Sequence, residues 1–271
     1  MKPARAIHYQ ETDVQAAYSV LIELGMLLKE YQNQIVLIGG FVPFLTISGQ
    51  PEHLGTLDID LNFDLDHFQE NSYNELLKHL ELAGFERDND PRFPFRLKRI
   101  ISSITVFVDL LTPTTTQAQY SFVQAIKGAQ FALTNFETVT LEGITPTGNF
   151  ERVTWRISSL QALFVMKGIA VSEQRAKDAY DLYYVLRHHP SGVVGIARAC
   201  QTLLHEPVAR NAFERIHNIF RGDDDLGSQL IASFMLESNA MGDMTPEEIM
   251  QDAYQRFRVW WEVLNETEKM I

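Results

Sequence analysis

Residues 34–61 read QIVLIGGFVPFLTISGQPEHLGTLDIDL. Four apolar residues, Ile35 to Ile38, have the length of a buried strand, and Gly39-Gly40 ends it at once. The next apolar-periodic run (Phe41, Phe44, Leu45) predicts a helix, with Pro43 tolerated only in its first turn. Ser48 to Gly55 is a loop by composition. Leu57-Asp58-Ile59-Asp60-Leu61 then reads as a second strand. Alternate strand residues share a face, so Asp58 and Asp60 project together while Leu57, Ile59 and Leu61 face a core. Two like charges side by side repel unless something cationic lies between them. A divalent cation is the natural partner, because Mg2+ takes carboxylate oxygens together with substrate phosphates. Glycines between a strand and a helix let backbone N–H groups approach a phosphate, which makes Gly39 and Gly40 candidate triphosphate contacts. The plainer reading is an acidic, half-buried strand behind an ordinary glycine turn.

A glycine pair, a spacer and then hydrophobic-Asp-hydrophobic-Asp-hydrophobic resembles the signature of the DNA polymerase beta-like nucleotidyltransferase superfamily. The spacer from Gly40 to Asp58 is longer than is usual there. That superfamily places a third carboxylate on a neighbouring strand, and Asp109 in Val106-Phe107-Val108-Asp109-Leu110-Leu111 matches the slot. Burying a lone carboxylate in such an apolar run is costly. The plainer reading of Asp109 is a residue at the strand's open end.

The whole chain sets bounds around this motif. Its 271 residues suit one large domain or two modest ones, and a 45% apolar composition suits a packed core. No unbroken apolar run is long enough to span a bilayer, so no membrane partner is expected. The start, MKPARAIHYQETD, lacks the apolar core of a secretory signal. Cys200 is the single cysteine, which excludes a disulfide framework and fits a reducing, cytoplasmic setting. The formal charge of −12 argues against a surface that coats nucleic acid generally. It leaves room for a local basic groove.

Along the chain, Thr12 and Asp13 precede a helical pattern running to about Tyr31. Asp66 is placed to cap a helix reading Phe68, Leu76, Leu77, Leu80 and Leu82 and stopped by Gly84. Arg92 to Lys98 and Ile101 to Leu111 read as a hairpin. Phe136 to Leu141 and Val153 to Ile157 read as a second one, and residues 112–157 carry no assignable chemistry. From Ser158 the pattern is helical, with Ser172 as a candidate cap. Further helices are expected at Val193 to Leu204, Pro207 to Phe220, Leu226 to Leu236 and Pro246 to Asn265. Thr245 and Pro246 form a strong start to the last. The expected class is α+β: a mixed sheet flanked by helices over 1–157, followed by a helical bundle over 158–271 that completes the active-site cleft.

The helical half carries a polar set of its own: Lys167, Arg175, Lys177, Asp178 and Asp181. Asp178 and Asp181 share a helix face, whereas Lys177 and Asp181 have the spacing of a simple surface pair. Lys167, Arg175, Lys177-Asp178 and Asp181-Leu182-Tyr183 resemble the K…R…KD…YDLY element of the AbiEii/AbiGii-type toxin nucleotidyltransferases. Those proteins also carry a glycine turn and a T-x-D-hydrophobic-D strand, here Thr56-Leu57-Asp58-Ile59-Asp60. The resemblance covers roughly residues 33–187. Leu54 and Gly55 stand where the family often has an arginine.

This resemblance implies a metal-dependent nucleotidyltransferase that moves an NMP from an NTP to an acceptor hydroxyl on RNA or protein, as the toxin of a toxin–antitoxin pair. Asp58, Asp60 and Asp109 are then the ligands for Mg2+ or Mn2+, with two ions clamping the attacking and leaving oxygens. Asp109 is also the candidate to accept the hydroxyl proton. Gly39, Gly40, Lys167, Arg175 and Lys177 face the nucleotide phosphates, and Lys167 and Asp178 belong to the catalytic set. Asn62 and Ser48 are secondary polar candidates. Two other classes compete: an enzyme acting on a small cationic acceptor such as an aminoglycoside, which the acidity suits, and a member of the fold that binds nucleotide or a partner without catalysis.

Overall fold

The computed structural model describes residues 11–47, 53–69 and 71–266. Ser48 lies outside them. They fall into two compact units: residues 11–42 and 55–159 in one, and the described residues of 43–54 and 160–266 in the other.

The first unit is built on an eight-stranded mixed sheet. Strand β1 (Ile35–Ile38) and strand β2 (Asp58–Phe63) pair antiparallel, and every residue of both is buried. Full burial on both faces is why β1 reads as an unbroken apolar run. A short helix, α2 (Phe41–Thr46), follows the glycines. The hairpin expected from Arg92 to Leu111 forms from β4 (Arg96–Ile101) and β5 (Ile104–Pro113) and turns at Ser102-Ser103. It starts later than the sequence suggests, because Arg92 to Phe95 form turns. Strand β3 (Glu86–Arg87) pairs outside β4, and β6 (Gln124–Ile126) runs parallel to β5. The second hairpin, β7 (Phe136–Ile144) with β8 (Phe150–Ser158), joins the same sheet through a parallel pairing of β8 with β1. The order is β3-β4-β5-β2-β1-β8-β7, with β6 beside β5. Sequence alternation did not reveal β3 or β6, which have only two and three residues.

Helix α1 (Glu11–Leu27) packs on one face of this sheet, and Glu23 takes a bidentate ion pair from Arg99 of β4. Leu97, Val108 and Ile59 line up across β4, β5 and β2, and all three are buried. Strand alternation puts them on the same side as Arg99, under α1. The opposite face therefore carries Arg96, Asp109, Asp60 and Asp58. Helix α3 (Ser72–Leu82) ends at Gly84, which takes φ +92°, as the sequence suggests. Its cap does not match the expectation. Asn71 occupies that position, while the Asp66 carboxylate accepts from the backbone N–H groups of Gln117 and Ala118 at 2.9 and 2.8 Å. Helix α4 (Gln130–Thr134) completes the unit.

The second unit is helical: α5 (Leu160–Ala170), α6 (Ala176–His188), α7 (Gly192–Gln201), α8 (Pro207–Asn218), α9 (Leu226–Glu237) and α10 (Pro246–Leu264). Trp260 is fully buried against Phe164 and Phe213, and Phe257 stacks on Phe220 at 3.7 Å, so these aromatics are core. Thr245 forms a full capping box with Glu248. Ser172 does not cap α6; Arg175 sits at the N-cap instead. Among the described residues no helix is long and apolar enough to cross a membrane.

Candidate active site

Pairing register assembles the acidic group. β2 and β5 run parallel with Asp60 opposite Asp109, and Asp58 lies two residues before Asp60 on the same face. Each of the three offers an oxygen, and these oxygens lie within 4.8 Å of one another. That span is of the size bridged by a divalent cation with ligand distances of about 2.0 to 2.6 Å. All three residues are buried. Three carboxylates that cannot all be hydrated need cationic company, and an oxygen-only donor set suits Mg2+, Mn2+ or Ca2+ rather than a thiolate-seeking metal.

Two local features hold the carboxylates in place. The buried Thr56 hydroxyl donates to Asp58 Oδ1 at 2.9 Å, a contact set by the T-x-D spacing. Gly39 follows Ile38, which pairs with Asp60 across β1 and β2. Gly39 takes φ +76°, and a Cβ there would be driven into the Asp60 carboxylate. The glycine is thus required twice, by backbone conformation and by closeness to Asp60. Gly40 completes the turn and is buried. Asn62 lies on the same face, two residues after Asp60. Its Nδ2 donates to Ala129 O at 3.0 Å, while Oδ1 is buried without a partner among the described residues.

One member escaped the sequence reading. Arg96 is fully buried and sits directly across from Asp109 in the antiparallel β4–β5 pair. Its Nε donates to Asp109 Oδ1 at 2.6 Å and its Nη2 to Oδ2 at 2.9 Å. The guanidinium also lies over the rings of Phe93, at 4.0 Å, and Phe107, at 4.8 Å. Burial pulls the Arg96 pKa down, but the bond to Asp109 and the charges of Asp109, Asp58 and Asp60 carry it above the ordinary value. Pairing register marks it: counting back across the Ser102-Ser103 turn puts Arg96 opposite Asp109.

In the helical unit, the sequence-predicted polar residues also come together. Lys167 of α5 donates to Asp178 at 2.5 Å and to Asp181 at 2.6 Å, both on α6. Lys177 donates to the other oxygen of Asp181 at 2.8 Å, and Arg175 pairs with Asp178. Lys177–Asp181 is therefore part of a buried network and not an isolated surface pair. Burial alone would drive Lys167 toward neutrality, but the two aspartates raise it instead. Burial likewise pushes Asp178 and Asp181 up; Lys167 with Arg175, and Lys167 with Lys177, outweigh it and hold both below the usual carboxylate range.

His53 is the second residue the sequence reading passed over. Its Nε2 lies 2.9 Å from Asp181 Oδ1, and its ring packs on Tyr180 and Tyr184. With Asp181 ionised, Nε2 carries the proton and donates. A lone histidine in a loop of SGQPEHLG has no sequence pattern that would mark it.

No family model and no curated protein matches this chain. Among solved structures it is similar to JHP933 from Helicobacter pylori, at 13% identity and a TM-score of 0.47, over 93% of this chain and 96% of that one. It is also similar to an antigenic nucleotidyltransferase-like protein from Paracoccidioides brasiliensis, at 16% identity and a TM-score of 0.40, over 77% and 88% of the two chains.

Two outcomes are expected from this geometry. Burial lowers the His53 pKa from 6.5 to about 4, against the opposing pull of Asp181. The unfolded chain then takes up the proton first, so the stability this supplies is complete above about pH 6.5 and shrinks as pH falls toward 4. The loss is about 3 kcal/mol over that window. His53→Gln, which can still donate to Asp181, flattens the pH dependence of urea unfolding between those values, while an unchanged slope removes His53 as its source. Gly39→Ala forces a left-handed alanine and displaces Asp60, costing about 2 kcal/mol or more in the same assay. An alanine variant as stable as the parent would show that the turn relaxes.

Proposed function

We propose that this chain is a metal-dependent nucleotidyltransferase of the polymerase beta-like kind, moving an NMP from an NTP to a hydroxyl on RNA or protein, in the manner of the AbiEii-type toxins. The observation that carries this reading is the convergence of Asp58, Asp60 and Asp109 beside the left-handed Gly39 corner. The ordered set of motifs in the sequence, from the glycine pair to the YDLY-like helix, adds to it.

Asp58, Asp60 and Asp109 would hold the cation. Bound there, Mg2+ or Mn2+ neutralises the phosphates and stabilises charge on the attacking and leaving oxygens. In the transfer, the acceptor oxygen bonds to the alpha phosphorus, the bond to the bridging oxygen breaks, and pyrophosphate departs. Asp109 is the residue assigned to receive the hydroxyl proton. Arg96 occupies one lone pair on each Asp109 oxygen and so fixes the plane of the carboxylate. Gly39 and Gly40 supply a turn without Cβ atoms for the phosphates to approach.

The sequence resemblance assigns Lys167, Arg175 and Lys177 to the nucleotide phosphates and gives Asp178 the orienting of that cation or of the acceptor. Of the three cations, Arg175 has the most exposed side chain, at 45%, against 10% for Lys167 and 16% for Lys177. That exposure supports Arg175, of the three, as the one open to a ligand. Lys167 and Asp178 hold α5 and α6 in register and orient it. A toxin role implies a cognate antitoxin and a cytoplasmic setting. The formal charge of −12 favours a second reading, transfer to a small cationic acceptor such as an aminoglycoside.

The test incubates the protein with each NTP labelled at the alpha phosphate, Mg2+, and either total cell RNA, cell protein or an aminoglycoside. Label is expected in the RNA or protein fraction, and Asp58→Ala/Asp60→Ala lowers its rate about 100-fold or more. Label on the aminoglycoside alone selects the second reading. Equal labelling by the double variant places catalysis elsewhere.

A further inference from the structure

Arg96 belongs to none of the motifs quoted from the sequence, yet it makes a fully buried, two-point contact with Asp109. A guanidinium gripping a carboxylate through Nε and Nη2 lies in the carboxylate plane and takes one lone pair from each oxygen. While that grip lasts, Asp109 cannot chelate a cation through both oxygens. The guanidinium is itself held between Phe93 and Phe107, so the grip has little freedom to swing. Its third nitrogen, Nη1, is buried and has no hydrogen-bond partner among the described residues. A buried donor left in that state is costly for the fold alone, which points to a use beyond packing.

We propose that Arg96 is a positioning residue for the metal site: it commits Asp109 to one-oxygen coordination and lowers the acidic group's affinity for a divalent cation in exchange for a fixed carboxylate. This rests on the metal-dependent reading above. Two physical parts are separable. The positive charge of Arg96 repels an incoming cation, and any cation keeps that part. The planar fork orients Asp109, and lysine cannot supply it. Arg96 thus supplies cationic company to the carboxylates and holds Asp109 in one orientation toward a cation.

The experiment measures Mn2+ affinity by calorimetry and by thermal shift, in the full chain without nucleotide. Arg96→Met is expected to melt lower than the parent in EDTA, to bind Mn2+ on the order of tenfold more tightly or better, and to gain more melting temperature from Mn2+ than the parent does. Arg96→Lys is expected to keep near-parental Mn2+ affinity yet lose turnover in the labelling assay, chiefly in kcat. If Arg96→Met does not fold, the same change is read in an Asp109→Asn background, where no buried carboxylate is stranded; Arg96→Met/Asp109→Asn is expected to bind Mn2+ more tightly than Asp109→Asn. Identical Mn2+ affinities with and without Arg96, in whichever pair folds, overturn the inference. Asp58→Asn/Asp60→Asn separates the two levels. If that variant binds Mn2+ as the parent does, the metal site itself is wrong. If it loses binding while Arg96 has no influence, only the role of Arg96 falls.

Discussion

Three carboxylates on one buried sheet face repel one another, and the rest of the sheet unit is arranged around that repulsion. Water cannot screen them, because Asp58, Asp60 and Asp109 are each at most 9% exposed. The chain meets the problem with geometry. Parallel pairing of β2 with β5 brings Asp60 level with Asp109, and antiparallel pairing of β4 with β5 brings Arg96 level with Asp109 from the other side. A one-residue shift of β2 or β4 against β5 would turn its charged residues onto the α1 face, beside Val108, and expel Ile59 or Leu97 from it. Hydrophobic burial on one face therefore enforces the electrostatic arrangement on the other.

The helical unit solves a related problem in the opposite sense. There, two aspartates on one helix are surrounded by Lys167, Arg175 and Lys177, with a neutral His53 donating as well. Among the described residues, the guanidinium of Arg96 grips one of the three carboxylates, whereas Lys167, Arg175 and Lys177 grip the two aspartates of α6. Removing one partner from either cluster strands a buried charge, which typically costs about 3 to 5 kcal/mol. Neither cluster is an economical way to hold a fold together, since apolar residues of similar volume would serve as well or better. The acid-rich face has the donor set of a divalent-cation site.

Much of this was legible in the residues, and the boundary between what was and was not has a physical cause. Strand β1 was readable as Ile35 to Ile38 because two glycines terminate it, and the faces of β2 followed from simple alternation. Helix α8 begins at Pro207 as expected, and α10 was marked by Thr245-Pro246. Caps were read less well. Asp225 does occupy the N-cap of α9, but its carboxylate turns back to the N–H groups of Arg221 and Gly222. Asp66 likewise serves a distant segment. A short polar side chain has several backbone donors within reach, and tertiary context chooses among them.

Arg96 and His53 mark a different limit. Composition and periodicity describe one segment at a time, whereas the role of these residues exists only across segments. Arg96 in Phe95-Arg96-Leu97-Lys98 reads as one charge among several on an alternating strand, and Lys98 on the same face pairs outward with Glu86 at 3.4 Å. What separates the two is depth: Arg96 sits opposite a carboxylate in the middle of the sheet, and Lys98 pairs toward the edge strand β3. An in-register partner two strands from β2 turns an ordinary surface-type residue into part of the acidic group. The chemistry of the site is thus carried as much by strand order as by the aspartates that first drew attention to it.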